Sequence, residues 1–317
     1  LLAAPATEEE QAYYHAADGT SMATPLTAGT AAVARQWCRE ALGVDDPGQT
    51  LLRALLLLGA QSIYPGQFGE GPNREIPTPA PNGAEGFGLL SLSRALAPAH
   101  AETFDYGETG FLRDFPVEVT AEGTLRAVLV WVDYPAQLYA ARTLVNDLDL
   151  ELLDASGAVV AYPNGLPGPD RVNVAERIEA AVAPGAYTLR VRGHAIPFPD
   201  GQAALVCSLP GVAPAPFIAH DPVERLAPGE AVALRATLLH PAAETDALTL
   251  ETSADGAAWT PAEALTLTAP QAGRFLYRLR AGETVAGPYA VTVGEAVPLT
   301  VATSGPFFPT TPAVGQT

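Results

Sequence analysis

The sequence has 317 residues, of which 48% are hydrophobic and 16% charged, and its formal net charge is −18. This length allows two or three domains with separate cores, and no apolar run approaches the roughly eighteen residues that a membrane span requires. The 35 acidic side chains outnumber 17 basic ones, all arginine, so the chain should repel a phosphate backbone and we expect no nucleic-acid partner.

The first part of the chain is predicted to be helical. The alanine-rich segment from Thr24 to about Arg39 predicts a buried helix that opens near Ser21. Asp46-Pro47 precedes the apolar stretch Leu51 to Leu58, and proline suits a first helical turn, so a second helix is predicted there. The segment from Pro65 to Gly88 is rich in glycine and proline and is predicted to be a loop.

Beyond Phe104 the pattern changes to short runs with two-residue alternation, which predict strands. These runs are Leu125 to Trp131, Leu148 to Leu153 and Ala186 to Val191. Turn-forming residues separate them without any helical pattern, which favours an antiparallel sandwich or jelly roll ending near Ser208. Pro210 to Pro216 carries three prolines in seven residues and is predicted to be a stiff linker.

A second strand-rich segment follows this linker. Its predicted strands are Ala231 to Leu239, Ala247 to Ser253, Phe275 to Arg280 and Tyr289 to Val293. Asp255-Gly256 is predicted to be a hairpin turn and Trp259 a core aromatic. An immunoglobulin-like sandwich of about 80 residues would fit this pattern.

The two cysteines and the first residue give further expectations. Cys38 and Cys207 lie far apart and match no metal-ligand spacing, so we expect two free, mostly buried thiols. The sequence starts at Leu1 without methionine or a signal-peptide core, so we expect its natural beginning to lie upstream.

The segment Gly19-Thr-Ser-Met-Ala-Thr-Pro25 is the most specific motif of the chain. It places the hydroxyl of Ser21 at the start of a helix, where the backbone N–H and the helix dipole would stabilise a developing oxyanion. The alternative interpretation of Ser21 is a capping residue, because serine is favoured at helix N-termini.

This segment, followed by Ala28-Gly29, resembles the active-site serine segment of the subtilase family. Arg53 to Ala60 is similar to the helix that follows in subtilases, and Gly86-Phe87-Gly88-Leu89 resembles the segment that closes their catalytic domain. The resemblance implies that Ser21 is the nucleophile of a Ser-His-Asp triad. It also implies that the aspartate, the histidine and the oxyanion asparagine lie upstream of Leu1, so this piece alone should be inactive.

Three later segments look like the jelly-roll module of alkaline subtilases. They are Leu129 to Asp133, Leu144 to Leu150 and Arg171 to Glu176. The resemblance reaches about Ser208 and covers roughly two-thirds of the chain, and the sandwich after Pro216 lies outside it.

These observations predict a multidomain fold, in which the end of a subtilisin-like α/β catalytic domain is followed by two antiparallel β-sandwiches. The predicted parts are residues 1–98 as the catalytic portion, 104–209 as a jelly roll, 216–295 as an immunoglobulin-like sandwich and 296–317 as a Pro/Thr-rich tail. We expect residues 1–98 to fold only against the missing N-terminal part of the catalytic domain. Phe104, Tyr106 and Phe111 are expected to be buried between the catalytic portion and the jelly roll, as a fixed junction.

The histidines offer no clear replacement for the missing base. His15 lies six residues before Ser21 but lacks the His-Gly-Thr context of the family, so a surface or packing role is expected. The remaining histidines show no spacing that suggests a metal site: His100, His194, His220 and His240.

Asp147 and Asp149 form a candidate calcium site. Two residues apart on a strand, their carboxylates project to one face, where they repel each other unless a cation compensates. Asn146, Asp133 or Asp170 could complete an oxygen shell. The alternative pairs the carboxylates with Arg142, Arg171 or backbone N–H groups.

Two functions fit the sequence. The first is a secreted serine endopeptidase that cleaves protein or peptide substrates through an acyl-enzyme on Ser21. The second is an extracellular binding or attachment protein, a subtilase relative that has lost catalysis. The sequence before Leu1 distinguishes them, because only an enzyme needs the triad aspartate and histidine there.

Overall fold

The computed structural model describes residues 18–243 and 246–294. These residues are mostly β, with several antiparallel sheets and a few helices, which confirms the coarse expectation of sandwich-like sheets. Between Asp18 and Pro98 the described residues form helices and two isolated β-bridges, with no sheet of a subtilisin-like α/β domain. Contacts divide the chain into two units, residues 1–220 with 237–246, and residues 221–236 with 247–317.

The described residues form three α-helices, α1 (Thr20–Ala41), α2 (Gln49–Gly59) and α3 (Leu92–Ala95). Both predicted helices are therefore confirmed, although α2 begins at Gln49, just after Pro47. Its buried positions Leu51, Ala54, Leu55 and Leu58 repeat with helical spacing and form one apolar stripe. Across the described part of the chain, no helix combines the length and apolar character that a membrane crossing requires.

Helix α1 is only half buried in this chain, and burial of its first turns, which the sequence predicted, stays a prediction. Residues Thr20 to Gly29 are all exposed, and Met22 and Leu26 have 42% and 46% of their surface accessible. Burial begins with Ala34, Trp37 and Cys38 in the second half of the helix. The reason is positional, because only this second half lies against α2 and the first sandwich.

Eight strands form the first sandwich. They are β1 (His100–Tyr106), β2 (Leu112–Val119), β3 (Gly123–Trp131), β4 (Asp147–Asp154), β5 (Val159–Ala161), β6 (Ala175–Val182), β7 (Gly185–Ala195) and β8 (Gly201–Ser208). One sheet has the strand order β1-β8-β3-β6 and the other β2-β7-β4-β5, and all neighbours are antiparallel. The three strands predicted in this region are confirmed within β3, β4 and β7.

The sheet β1-β8-β3-β6 has a hydrophobic core on each face. On β3, Leu125, Leu129 and Trp131 point into the sandwich interior, whereas Val128 and Val130 point outwards. The outward side chains pack in one cluster with the apolar residues of α1 and α2. This double burial explains why β3 reads as a nearly continuous apolar run.

The aromatic residues after Ala97 do not form the junction that the sequence predicted. Phe104 and Tyr106 lie on β1 and are buried inside the sandwich, and Phe111 packs against the same interior cluster. Alternation on β1 directs the rings of Phe104 and Tyr106 inwards, so they cannot face the helices. Helix α2 makes the contact instead, because its apolar stripe covers the outer face of β3 and β8.

The loop between α2 and α3 is tied to the sandwich by Arg177. This β6 side chain is buried and donates hydrogen bonds to the carbonyl oxygens of Ala60, Ala80 and Phe87, at 3.3, 3.0 and 2.8 Å. Its guanidinium also lies over the Phe87 ring, 5.5 Å from the centroid. One arginine therefore binds the residue that follows α2 and two residues in the last part of the predicted glycine- and proline-rich loop.

Nine strands follow the first sandwich. They are β9 (Phe217–His220), β10 (Arg225–Leu226), β11 (Ala231–Ala233), β12 (Ala236–Leu239), β13 (Thr249–Ser253), β14 (Thr260–Pro261), β15 (Thr266–Thr268), β16 (Gly273–Ala281) and β17 (Thr284–Val293). Strands β9 and β12 pair with each other, and Phe217 packs in the cluster that contains α1, so the first unit continues to His220. The segment Pro210 to Pro216 leads directly into β9.

The second unit contains a five-stranded sheet of order β10-β17-β16-β13-β14 and a two-stranded sheet of β11 and β15. Three of the four strands predicted here are confirmed, in β13, β16 and β17. The run Ala231 to Leu239 is instead split into β11 and β12, because the two halves have different partners: β11 pairs with β15, a register that the Leu234 N–H continues by donating to Leu265, and β12 pairs with β9. Residues 296–317, the predicted tail, lie outside the described residues.

Trp259 is not the core aromatic that the sequence predicted. It is half-buried, its indole N–H donates to the Gly256 carbonyl at 3.1 Å, and Arg278 lies over its ring at 4.2 Å from the centroid. Antiparallel pairing of β13 with β14 encloses the predicted Asp255-Gly256 turn, where Gly256 has a φ of 82°. The ring therefore covers a turn and an arginine.

Candidate functional site

Ser21 lies in the first turn of α1 and is exposed. Gly19 precedes the helix with a φ of 123°, a backbone conformation that glycine adopts without strain. The carbonyl of Gly19 accepts hydrogen bonds from the N–H groups of Met22 and Ala23, both at 3.1 Å. This turn presents Ser21 at the helix N-terminus, as the sequence predicted.

The first turns of α1 leave polar groups available around Ser21. Pro25 lies inside the helix and has no N–H, so the carbonyl of Ser21 lacks its usual intrahelical donor. Thr24 returns its own hydroxyl to the Thr20 carbonyl at 2.8 Å. Within residues 18–243 and 246–294, the Ser21 hydroxyl makes no hydrogen bond, so it is open to a partner or a substrate.

The described histidines occupy other places. His220 contacts Gln36 at 3.1 Å, and His100 lies 3.5 Å from Glu102 on the same strand. His240 is held at the Ser93 backbone, where burial lowers its pKa, and His194 is exposed at the end of β7. None of these four forms a hydrogen bond with Ser21, and His15 lies outside the described residues.

The predicted calcium ligands Asp147 and Asp149 come together around an arginine. Both carboxylates are buried on β4, and Arg171 donates to Asp147 at 3.2 Å and to Asp149 in a short contact. Burial raises the pKa of Asp147, which the nearby guanidinium of Arg171 partly offsets. The geometry therefore favours the ion pair over calcium at these two residues, and calcium binding stays a prediction.

The residues expected to complete a calcium shell have other roles. Asp133 accepts the N–H groups of Tyr134, Val145 and Asn146 at 2.7 to 2.8 Å. Asp170 accepts four hydrogen bonds, from Asn164, from the backbone of Val172 and from the backbone and side chain of Asn173. Among the described residues, no group of three or more His, Cys, Asp or Glu is placed to hold a metal ion.

Glu176 is a buried carboxyl that sequence reasoning did not single out. One of its oxygens accepts the Leu150 N–H at 2.5 Å, and the other has no hydrogen-bond partner. Burial raises the pKa of Glu176 well above its usual value, and the carboxylates of Asp149, Asp170 and Asp147 raise it further. Strand β5 pairs only with Leu152 and Leu153 of β4, so it does not reach Leu150. The Glu176 carboxyl therefore accepts the hydrogen bond of the Leu150 N–H in place of a neighbouring strand.

The two cysteines are free and buried, which confirms the sequence prediction. Burial raises the pKa of Cys38 to about 11 and that of Cys207 to about 12. Because the thiolate is the reactive form, both side chains should be inert at neutral pH.

Comparisons with known proteins assign no family. No protein-family model matches the sequence, and no curated protein matches it. Among solved structures, the chain is similar to a protein from Sulfurospirillum deleyianum, with a TM-score of 0.24 and 9% identity over 36% of this chain and 98% of that one. It is also similar to the Yersinia pseudotuberculosis-derived mitogen, with a TM-score of 0.22 and 15% identity over 36% of this chain and 89% of that one. These likenesses are too distant to carry an argument.

Proposed function

We propose that this chain is the nucleophile-bearing part of a secreted, subtilisin-like serine endopeptidase. The observation that carries the proposal is the segment Gly19 to Pro25, which places an exposed Ser21 in the first turn of an alanine-rich helix. The Ser21 hydroxyl attacks the peptide carbonyl, and a histidine oriented by an aspartate accepts its proton. A preceding part of the polypeptide supplies both residues and the asparagine of the oxyanion hole.

The exposure of α1 supports a protein partner for its first turns. Met22 and Leu26 are apolar and largely accessible, and Ala28 and Gly29 between them and the buried half are small enough for close packing. A surface of this kind is typical of a helix that another part of the protein covers. We propose that the missing N-terminal part of the catalytic domain packs there.

The strand order of the first sandwich supports the jelly-roll part of the proposal. Eight strands in two four-stranded antiparallel sheets, with orders β1-β8-β3-β6 and β2-β7-β4-β5, follow jelly-roll connectivity. For the second unit, the antiparallel pairs of β13, β16 and β17 are compatible with an immunoglobulin-like sandwich. Either module can serve the protease by stabilising it or by holding substrates.

A second function remains open because Ser21 has no base beside it in the described residues. An extracellular binding or attachment protein on a subtilase scaffold would keep the fold and dispense with the triad. The sequence upstream of Leu1 separates the two functions, since the endopeptidase requires an aspartate and a histidine in their subtilase motifs there.

Active-site labelling of the intact parent protein tests the proposal. A fluorophosphonate probe should modify Ser21, and mass spectrometry should locate the adduct on the peptide that contains it. Ser21→Ala should abolish both labelling and casein hydrolysis. Thr27→Ala is a matched control, because Thr27 is another exposed α1 hydroxyl and bonds only its own helix backbone. An adduct on another residue, or a folded parent that does not react, would contradict the proposal.

A further inference from the structure

Three loops meet at one end of the first sandwich. They are residues 107–111 between β1 and β2, residues 132–146 between β3 and β4, and residues 196–200 between β7 and β8. The Ile196 N–H donates to the Thr109 hydroxyl at 2.8 Å, which joins the first loop to the third. The Asn146 side chain joins the second loop to the third, because its N–H donates to the Phe198 carbonyl at 2.7 Å and its oxygen accepts the Phe198 N–H at 3.2 Å. The three loops therefore form one continuous surface.

This surface carries large apolar side chains that the described part of the chain leaves open. Leu138 is 90% exposed and Tyr139 is fully exposed. The rings of Tyr134 and Phe198 stack on each other with 4.8 Å between their centroids, and each residue is nearly half exposed. We name these four side chains the tip surface. Single exposed apolar residues are ordinary, but four on two joined loops are typical of an interaction site.

The loop that carries most of the tip surface is fixed at its base. The carboxylate of Asp133 accepts the N–H groups of Tyr134, Val145 and Asn146 at 2.7 to 2.8 Å, which closes the two ends of residues 132–146 onto each other. A partner would therefore meet a loop whose ends are already ordered, and binding would cost less conformational entropy.

Unpaired carboxylates border the tip surface. Asp105 and Asp200 are exposed at the same end of the β1–β8 pair, where Tyr106 lies opposite Gly201. Glu108 is exposed in the first of the three loops. Within residues 18–243 and 246–294, none of these three carboxylates forms an ion pair or a hydrogen bond. We name them the acidic border.

The charge of the acidic border indicates the chemistry of the partner. Its three carboxylates outnumber Arg142, the one arginine of the three loops, and the whole chain has a net charge of −18. An anionic lipid surface would be repelled, whereas a guanidinium or ammonium group would be attracted to the carboxylates and to the faces of the aromatic rings. An apolar centre with a charged rim is also the usual composition of a protein–protein interface.

We propose that the tip surface and the acidic border bind a polypeptide segment in which aliphatic residues alternate with arginine or lysine. The aliphatic side chains pack on the tip surface, and the cations pair with the acidic border. This inference goes beyond the proposed function, because it uses no property of Ser21 and holds for an endopeptidase and for a binding protein alike.

The first test changes the tip surface in the intact parent protein, with Ser21→Ala in every variant to prevent cleavage of the probe. The tip variant carries Leu138→Ser and Tyr139→Ser. Its control carries Leu112→Ser and Phe68→Ser, which remove one exposed leucine and one exposed aromatic residue from other places in the same unit. Because all four side chains are exposed, each variant should keep the fold of the parent.

The second test changes the acidic border in the same background. The acid variant carries Asp105→Asn, Glu108→Gln and Asp200→Asn. Its control carries Asp45→Asn, Glu118→Gln and Glu122→Gln, which lie exposed outside the three loops. Both variants lose the same net charge, so a difference between them reports the position of the carboxylates and not the overall charge of the chain.

Fluorescence anisotropy measures binding of a labelled, unstructured peptide in which arginine and leucine alternate. Two further peptides carry serine in place of leucine, or glutamate in place of arginine. The tip variant should bind the arginine–leucine peptide about tenfold more weakly than its control, because an apolar contact is lost. The acid variant should bind it about fivefold more weakly than its control at low ionic strength, and this difference should disappear at about 1 M salt, where screening is strong.

Four outcomes would overturn the proposal. The first is a parent with no measurable affinity for the arginine–leucine peptide, and the second is equal binding by the tip variant or the acid variant and its control. The third is equal affinity of the parent for the glutamate peptide. The fourth is binding of phosphatidylcholine vesicles that the tip variant loses, without binding of any peptide, which would assign the tip surface to lipid.

Discussion

Replacement of Arg177 by methionine should release the loop between α2 and α3 from the first sandwich. Arg177 is 3% exposed and donates to three backbone carbonyls, those of Ala60, Ala80 and Phe87. Each buried carbonyl that loses its donor costs about 1–3 kcal/mol. Burial itself disfavours the charged guanidinium and lowers its pKa, so part of this cost is offset when the charge is removed.

The net loss of unfolding free energy for Arg177→Met should be about 3 kcal/mol. Urea denaturation followed by tryptophan fluorescence measures the loss, because Trp37 and Trp131 are buried in the two cores of the first unit. Hydrogen exchange should show lost protection at residues 60–90 before any loss in β3 or β8.

A matched surface substitution controls this experiment. Arg190 pairs with Asp114 through two hydrogen bonds of 2.7 Å on the outer face of the other sheet. Because surface ion pairs contribute only about 0–1 kcal/mol, Arg190→Met should change stability little. If Arg177→Met and Arg190→Met lost equal stability, or if exchange at residues 60–90 stayed slow, Arg177 would not be the tie described above.

Three further substitutions or conditions test other parts of the structure. Gly88→Ala should lower the free energy of unfolding by about 2 kcal/mol or more, because Gly88 has a φ of 108° and an added Cβ would lie 2.2 Å from the Gln61 carbonyl oxygen. The measurement is thermal denaturation, and Gly83→Ala is the control because the space around Gly83 is open. The thiols of Cys38 and Cys207 should react slowly with Ellman's reagent at pH 8 in the folded chain and rapidly in urea. Because burial raises their pKa, the stability that the protonated thiols contribute should be complete below pH 9 and should decline as the pH rises towards 11 and 12. Cys38→Ala should make this decline of the unfolding free energy with pH shallower. Arg171→Met should lower the unfolding free energy by about 3–5 kcal/mol at pH 8, because it leaves Asp147 and Asp149 buried without a cation, and the loss should shrink as the pH falls, since burial raises the pKa of Asp147 and protonation removes its charge. In the unmodified chain excess EGTA should leave the melting temperature unchanged, and a lower value would instead support calcium.

The spacing of apolar residues in the sequence predicts most helices and strands of this fold, but it does not predict which neighbouring elements bury them. The apolar runs of α2, β3 and β7 stand out because their spacing is set by the helix or strand itself. The same run in β3 does not reveal that one face meets the other sheet and the other face meets helices. The aromatics Phe104 and Tyr106 were assigned to a junction for the same reason, since a sequence shows that a side chain is apolar but not which neighbour buries it.

The sequence predicts the residues of the candidate site only where their motif is contiguous along the chain. Ser21 depends on a seven-residue segment and the start of one helix, so sequence reasoning places it correctly in the first turn of α1. Asp147 and Asp149 were recognised as a pair that needs a positive charge, and Arg171 was one of the alternatives that could supply it. Glu176 and Arg177 carry no such signal, because the backbone groups that their side chains bind lie 26 or more residues away along the chain.

The double burial of β3 and β8 also has a consequence during synthesis. The apolar stripe of α2 is translated first, and the strands that cover it are complete only at Ser208, roughly 150 residues later. At about 5–20 residues per second, the apolar stripe of α2 stays without its sheet for roughly 8 to 30 seconds. The nascent chain therefore presents a leucine-rich helix of the kind that molecular chaperones bind, and its yield in a cell should depend on them more than its final stability suggests.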